Sequence, residues 1–509
     1  MAPDLKPALV FIGFMAAGKS TAALEAATAL GETAADTDEL LERRFGETIQ
    51  SYFDREGEAA FRAAEEALVG GVLDRADGGV VALGGGAVLS ERTRAALRRH
   101  TVVLVDVDLD TAWERACGQG RPLARERAAF ARLFAQRAAI YDGCADAIVP
   151  GTGDAHLVRR AIDALRAVPD GLTLLWATSA GGDYPVWIGA AAAARAPWPA
   201  LGRRFVVTDE AVSVVQPGAV GADAAEAVIA VPPGEASKTL ATAEHVWRAL
   251  VEAGATRADH VVGVGGGVVG DLAGFCAATY QRGVPVVHVP TTIVAQVDSA
   301  YGGKTGVDLP EAKNYVGAYH QPAGVLVDPG VLATLPAEER AAGYAEVVKT
   351  ALIAGGPLWE RVAGGAPVDE GIVRACARTK LRVVASDERD AGRRQVLNLG
   401  HTVGHAIETT TGYARFRHGE AVGLGLLAAL RLSGQEALRA QVAELLAAAG
   451  LPTRLDGADP DAVTAATARD KKRLGAAVPF VLVDAPGDVR HGVEVAPGEL
   501  SAAVRELTA

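Results

Sequence analysis

The 509-residue sequence is poor in cysteine: Cys117, Cys144, Cys276 and Cys376 are scattered, with no CxxC and no paired spacing. A disulfide framework is therefore not expected, and a reducing compartment is. No uninterrupted apolar stretch is long enough to span a bilayer. The N-terminal run ALVFIGFMAAG is apolar but short, follows an Asp and a Lys, and leads straight into Gly18-Lys19-Ser20. That pattern fits a buried first strand better than a signal peptide. An excess of basic charge is also missing. Fifty Lys and Arg face 62 Asp and Glu, a formal charge of −12, which disfavours a general binder of nucleic acid or anionic membrane. Local basic clusters could still grip small anions. No internal repeat is visible. A cytoplasmic protein is expected, with small molecules and not nucleic acid or membrane as partners.

What is present is an ordinary globular composition, 50% hydrophobic and 22% charged, in a chain long enough for two or three domains. Residues 1–168 alternate short β-rich runs (ALVFIGF, GVVALGG, TVVLVDVD) with helical stretches such as LLERRFGETIQSYFDREGEAAFRAAEEALVGGVL. That alternation predicts an α/β domain with a parallel sheet covered on both faces. Pro169, Gly171 and the Gly181-Gly182 pair place a boundary near Pro169. A second α/β region is expected over 169–333, with strands at RFVVTD, AVIAVP, HVVGVGGG and VPVVHVP. Residues 334–509 turn mostly helical, most clearly in GEAVGLGLLAALRLSGQEALRAQVAELLAAAG.

The stretch GFMAAGKST matches G-x-x-x-x-G-K-[ST] at Gly13, Gly18, Lys19 and Ser20, between an expected strand and an expected helix. Backbone N–H groups and the helix N-terminus would cradle phosphates there. Lys19 would neutralise the β/γ oxygens, and Ser20 would bind Mg²⁺. Further features follow in order: Asp36 and Asp38 in ADTDEL, Arg62 in GEAAFR, Gly84, Gly85 and Gly86 in ALGGGAV, Arg121 in GQGRPLA and Arg137 in RAAIYDG. Taken singly each has a bland reading, such as a helix cap, a surface charge or a turn.

Taken together they resemble shikimate kinase across nearly the whole first domain. The resemblance implies ATP and Mg²⁺ at Gly13, Gly18, Lys19, Ser20, Thr21 and Asp36, with Arg121 closing from a lid. Asp38 would orient and deprotonate the acceptor hydroxyl, with Lys19 and Arg121 also catalytic. Arg62 and Arg137 would pair with the shikimate carboxylate, and Gly84, Gly85 and Gly86 let backbone approach the ring. Ala16 stands where the family often has Gly; being small, it is expected to matter little.

The second half contains Gly265-x-Gly267-x-x-Gly270 after an expected strand, a weak dinucleotide signal when alone. It is followed by VPTTIVAQVDSAYGGKTGVDLPEAKNYVGAYHQP, GYAEVVKTALI, NLGHTVGHAIE and HGEAVGLG. This succession resembles 3-dehydroquinate synthase over about 172–509. The implied fold is an NAD-binding α/β domain followed by an α-helical metal-binding domain, as a homodimer. NAD is implied at Asp209, Glu235, Lys238, Gly266, Gly267 and Val268. It is further implied at Asp271, Thr291, Thr292, Asp298, Lys304, Lys313 and Thr334. The heptulosonate phosphate substrate is implied at Lys304, Lys313, Asn314, Lys349, Lys380, Arg394, Asn398 and His405. Arg282 would reach a neighbouring subunit's site, and Lys471 or Lys472 would add a phosphate contact. Ala211 stands where the family commonly has Asn, and Ala300-Tyr301 replaces the more usual Ser-Val.

A catalytic zinc wants three protein ligands and open positions. The candidates are Glu346, His401, His405, Glu408 and His418; helical spacing alone selects His401 with His405. The family resemblance instead implies Glu346, His401 and His418 as ligands of Zn²⁺ or Co²⁺. It leaves His405 facing substrate, catalytic together with Lys349 and Asn398. The implied reaction is oxidation of a ring alcohol, elimination of phosphate, re-reduction by the same cofactor and aldol closure, so NAD is regenerated each turnover. Rival readings are another sugar-phosphate cyclase or a polyol dehydrogenase for the larger part, and a different small-molecule kinase or a non-catalytic module for the first.

Overall fold

Most of the β-branched runs form strands whose residues are buried on both faces, as parallel strands between helices must be. In the computed structural model, which describes residues 8–76, 79–117, 126–154, 156–467 and 479–508, the chain divides into two compact units. The first comprises residues 1–177 and 185–197, the second 178–184 and 198–509. Arg121, Lys471 and Lys472 lie outside the described residues.

In the first unit β1 (Leu9–Ile12), β2 (Ala34–Asp36), β3 (Val80–Ala82), β4 (Thr101–Asp106), β5 (Ala147–Pro150), β6 (Thr173–Ala177) and β7 (Tyr184–Ile188) take the order β2-β3-β1-β4-β5-β6-β7. Pairing is parallel from β2 through β6. The unit runs past the boundary expected at Pro169, because Leu174 and Leu175 of β6 pair with Ala147 and Ile148 of β5. Helix α1 (Lys19–Leu30) follows β1. The helical stretch expected over residues 40–73 is two helices, α2 (Thr37–Phe45) and α3 (Ile49–Leu73). They part at Gly46, whose φ of 71° ends α2, and α3 itself kinks at Gly57. Helix α4 (Arg127–Cys144) completes the frame of the first site.

In the second unit β8 (Arg204–Asp209), β9 (Ala227–Val231), β10 (His260–Gly265), β11 (Val286–Pro290) and, after an antiparallel hairpin of β12 (Lys304–Leu309) and β13 (Ala312–Tyr319), β14 (Gly324–Val327) appear in turn. The sheet runs β14-β11-β10-β8-β9, all parallel. Helix α5 (Gly267–Thr279) buries Leu272, Phe275 and Cys276 against Val207, Val261 and Val286 of the sheet. The helical part contains α6 (Ala337–Ala354), α7 (Glu370–Ser386), α8 (His401–Thr410), α9 (His418–Leu432) and α10 (Glu436–Ala448). A hairpin of β15 (Pro479–Ala485) and β16 (Asp488–Glu494) interrupts the expected helical run. No helix among the described residues is long and apolar enough to cross a membrane.

Two glycines decide how closely the helices meet. A Cβ on Gly425 of α9 would lie 1.9 Å from the Gly400 carbonyl oxygen, and one on Gly419 would lie 1.8 Å from that of Ala342. Only hydrogen fits at either place, so the start of α9 is drawn against α6 and its middle against the start of α8. That contact brings together one side chain from each.

Candidate active sites

The first site begins where β1 turns into α1. Gly13 has φ 151°, and a Cβ there would meet the Val105 carbonyl oxygen at 2.7 Å; Gly18 caps α1 with φ 97°. Ala16 sits at φ 61°, a left-handed conformation that costs an L-residue about 1–2 kcal/mol, so its departure from Gly is not neutral for the backbone. Lys19 Nζ donates to the Phe14 carbonyl at 3.1 Å. Ser20 Oγ donates to Asp36 Oδ2 at 2.5 Å, while Asp36 Oδ1 accepts from the Asp38 amide at 2.9 Å and caps α2. Gly18, Lys19, Ser20, Thr21, Asp36 and Asp38 line one cavity of about 430 Å³.

Beside it, the turn Gly84–Gly86 is held at each residue. The Gly84 amide donates to Thr37 Oγ1 at 2.9 Å, and the Gly85 carbonyl accepts from Tyr141 Oη at 2.5 Å and from Arg137 Nη1 at 3.4 Å. A Cβ on Gly86 would fall 1.9 Å from Arg62 Nη1, so the guanidinium lies directly over this backbone. Arg62 is paired with buried Glu65 at 2.6 Å. Burial pushes the Glu65 carboxyl up, with Arg62 pulling against it; burial also pushes the Tyr141 hydroxyl up to about 12. Glu65 and Tyr141 escaped the sequence reading, since Glu65 reads as one more helix charge and Tyr141 reaches across 56 residues to Gly85.

The second site is a cavity of about 2010 Å³. Its first wall is the corner between β10 and α5, where Gly266, Gly267 and Val268 stand at a helix N-terminus suited to anions. Asp209, Glu235, Thr291, Thr292 and Thr334 line the same cavity. Lys238 is buried and spans Asp271 Oδ2 and Asn314 Oδ1, each at 2.5 Å. Lys304 and Lys313 enter from the β12–β13 hairpin; Lys304 pairs with Asp390 at 2.6 Å. Asn398 and His405 line the cavity from the helical part.

Several residues take places the sequence did not indicate. Asp298, expected beside the cofactor, lines this cavity with Lys380, and it also lies between two lysines: Lys349 Nζ is 2.8 Å from Oδ2, and Lys380 bonds both Oδ1 and the carbonyl. Burial opposes its charge, but the two ammonium groups hold the carboxyl well below the usual range. Lys349 is not on the cavity wall but behind it, 1% exposed and 2.5 Å from Glu346 Oε2. Arg394 is likewise withdrawn, donating to the carbonyls of Gly302 and Glu388. Arg282 is exposed on a turn where it and Gln281 both have positive φ, 73° and 48°. Ala211 lines the cavity, and Tyr301 is buried with its hydroxyl donating to the Gln296 carbonyl at 2.6 Å.

At the cavity floor Glu346 of α6, His401 of α8 and His418 of α9 converge, with donor atoms all within 4.8 Å of one another. Glu346 Oε1 is 3.6 Å from His401 Nε2 and 3.4 Å from His418 Nε2. Glu346 Oε1 is buried without a hydrogen-bond partner, while Oε2 is paired with the Lys349 ammonium. Ligand bonds of about 2.0–2.1 Å in a tetrahedral zinc site set donors about 3.3–3.4 Å apart, so donor types and spacings fit a divalent cation. His401 Nδ1 faces the Leu399 carbonyl at 3.1 Å, which turns Nε2 toward Glu346. Burial pulls His401 down to about 3. Burial opposes the charge on His418 too, but Glu346 and Glu408 raise it to about 10. Burial likewise opposes charge on Glu346, and Lys349 with the imidazoles holds it at about 2. His405 is adjacent, its ring centroid 5.3 Å from that of His401.

Fold and sites define a class: a P-loop α/β unit, followed by an enzyme unit whose cavity joins a glycine corner to a buried histidine–carboxylate cluster. Comparison with known proteins is more specific. Residues 15–166 match the shikimate kinase family model. Residues 228–342 and 343–473 match those of the N-terminal and C-terminal parts of 3-dehydroquinate synthase. The 3-dehydroquinate synthase of Halorhodospira halophila is 46% identical over 321 residues, 59% of this chain and 88% of that protein. A crystal structure of 2-deoxy-scyllo-inosose synthase with carbaglucose-6-phosphate, NAD⁺ and Co²⁺ superposes with a TM-score of 0.59 at 25% identity, covering 66% of this chain and 99% of that one. The 2-epi-5-epi-valiolone synthase of Streptomyces hygroscopicus subsp. jinggangensis, solved with NAD⁺ and Zn²⁺, does so at 0.59 and 27% identity, covering 64% and 96%. The chain belongs to the 3-dehydroquinate synthase family and carries a shikimate kinase domain ahead of the synthase, two shikimate-pathway enzymes on one polypeptide.

Proposed function

We propose that the first unit transfers the γ-phosphoryl group of ATP–Mg²⁺ to shikimate, giving shikimate 3-phosphate. The second unit converts 3-deoxy-D-arabino-heptulosonate 7-phosphate to 3-dehydroquinate and phosphate, with NAD and Zn²⁺ or Co²⁺. The observation that carries the second half is the Glu346–His401–His418 cluster opening onto the same cavity as the Gly266–Gly267 corner. When bound, the metal would supply Lewis acidity at the hydroxyl being oxidised and NAD the site for hydride storage.

The chain's own residues do the rest. In the first unit Gly18 and the α1 N-terminus receive phosphate, Lys19 offsets its charge, and Ser20 with Asp36 would hold Mg²⁺. Asp38 takes the hydroxyl proton, while Arg62 and Arg137 grip the carboxylate beside Gly84–Gly86. In the second unit Lys304, Lys313 and Asn314 offer the phosphate a cationic wall. Lys380 serves the carboxylate end, with Arg394 behind it, held by the Gly302 and Glu388 carbonyls. Asn398 and His405 bind oxygens and move a proton at the ring. Lys349, from behind the cavity, fixes Asp298 and the metal-binding carboxylate of Glu346. Arg282, exposed on its strained turn, is available to a second copy of the chain, and we assign the protein as a cytoplasmic homodimer.

The test is phosphate release from the heptulosonate phosphate with NAD and zinc, run beside shikimate-dependent ADP formation. Both are expected from one purified chain, and Lys19→Ala removes the second alone. Absence of phosphate release would end the synthase assignment; ADP formation unaffected by Lys19→Ala would end the kinase assignment.

A further inference from the structure

Glu408 was a candidate metal ligand on spacing, and the geometry gives it different work. It lies on α8 seven residues beyond His401, hence on the same helix face, with its side chain 2% exposed. Its two oxygens point to different parts of the unit. Oε2 is 3.3 Å from His418 Nδ1, and Oε1 is 3.0 Å from Lys313 Nζ. The other nitrogen of the same imidazole, Nε2, is the one facing Glu346. His418 is therefore held between two carboxylates, one at each ring nitrogen. Lys313 comes from β13, and its ammonium also lies 4.6 Å from the centre of the Tyr413 ring, on the loop between α8 and α9.

Glu408, His405 and His418 also satisfy the spacing of a three-donor metal site. Two observations argue against an ion there. An ion sharing Glu408 Oε2 would lie on the Nδ1 side of His418, close to the Lys313 ammonium already paired with that carboxylate, and like charges at such range repel. The buried oxygen without a hydrogen-bond partner is Oε1 of Glu346, on the Nε2 side, whereas both oxygens of Glu408 are engaged.

We propose that Glu408 is a positioning residue: its carboxylate orients His418 through Nδ1 for metal binding through Nε2, and ties that ligand to Lys313 of the β12–β13 hairpin. This rests on the metal reading above. An outer carboxylate fixes the tautomer and rotation of a ligating imidazole, and its loss typically lowers metal affinity about 10–100-fold.

The experiment is Co²⁺ titration of the chelator-stripped full-length chain, reading ligand-field absorption bands and affinity against a competing chelator. Glu408→Gln is expected to weaken Co²⁺ binding about 10–100-fold while leaving band positions unchanged, since the donor atoms stay the same. Lys313→Met, which frees the carboxylate for His418 alone, is expected to bind Co²⁺ at least as tightly as the wild type. That arm keeps the proposal testable if Glu408→Gln fails to fold by circular dichroism. Undiminished affinity in Glu408→Gln, shifted bands that make Glu408 itself a ligand, or tenfold weaker binding in Lys313→Met would each overturn the proposal. No Co²⁺ bands in the wild-type chain would instead remove the metal reading on which it stands.

Discussion

Nε2 of His401 lies 3.6 Å from Oε1 of Glu346, beyond a hydrogen bond and close to the separation of two donors sharing one cation. The relationship exists because α9 packs against the start of α8 at Gly425 and against α6 at Gly419, and because His401 Nδ1 faces the Leu399 carbonyl. It separates two histidines that share a helix face. His401→Ala is expected to purify without stoichiometric zinc. His405→Ala should retain the metal and lose synthase rate by about 10²–10⁴-fold, the range of a missing proton-transfer group. Elemental analysis beside steady-state kinetics checks both; zinc loss in His405→Ala alone would reverse the assignment.

Gly86→Ala tests the shikimate pocket without straining the backbone, because Gly86 has φ −95°. The new methyl would sit 1.9 Å from Arg62 Nη1 and push the guanidinium aside. The KM for shikimate should rise on the order of 10–100-fold with the KM for ATP unchanged. A variant that raises both equally would mean that Arg62 does not read the acceptor.

His288 on β11 supplies a pH dependence outside the metal cluster. It is 6% exposed, and its Nδ1 has no hydrogen-bond partner. Burial, helped by nearby His320, pulls its pKa down to about 4, against about 6.5 in an unfolded chain. Between those values the unfolded chain holds the extra proton, so the stability contribution is full above about pH 6.5 and is lost as pH falls toward 4. The most it can amount to is about 3 kcal/mol. His288→Gln should flatten the fall in denaturation midpoint between pH 7 and pH 4.5; parallel curves for variant and wild type would point to other groups.

How far the sequence could be read depended on whether its signals were local. The buried strands β1, β4, β8, β10 and β11 coincide with runs of β-branched residues, which announce themselves without context. The phosphate loop is a contiguous motif and was equally plain. Helix breaks at Gly46 and Gly434 were smoothed over, since apolar periodicity continues across both. The cluster at Glu346, His401 and His418 was legible only through family resemblance. Spacing favours His401 with His405, and nothing local says that α6 and α9 pack where they do. Asp298 between its lysines, Tyr141 under Gly85 and Glu408 between His418 and Lys313 are products of tertiary contact.

The central claim is that one chain holds two separate chemistries, only one of which needs the histidine–carboxylate site. A single chelator-stripped preparation, returned to Mg²⁺, should be assayed for both activities before and after stoichiometric Zn²⁺ or Co²⁺ is restored. The expected result is undiminished shikimate-dependent ADP formation throughout, with phosphate release from the heptulosonate phosphate lost on stripping and recovered on add-back. Phosphate release that survives complete removal of the metal, or fails to return with it, would contradict the claim.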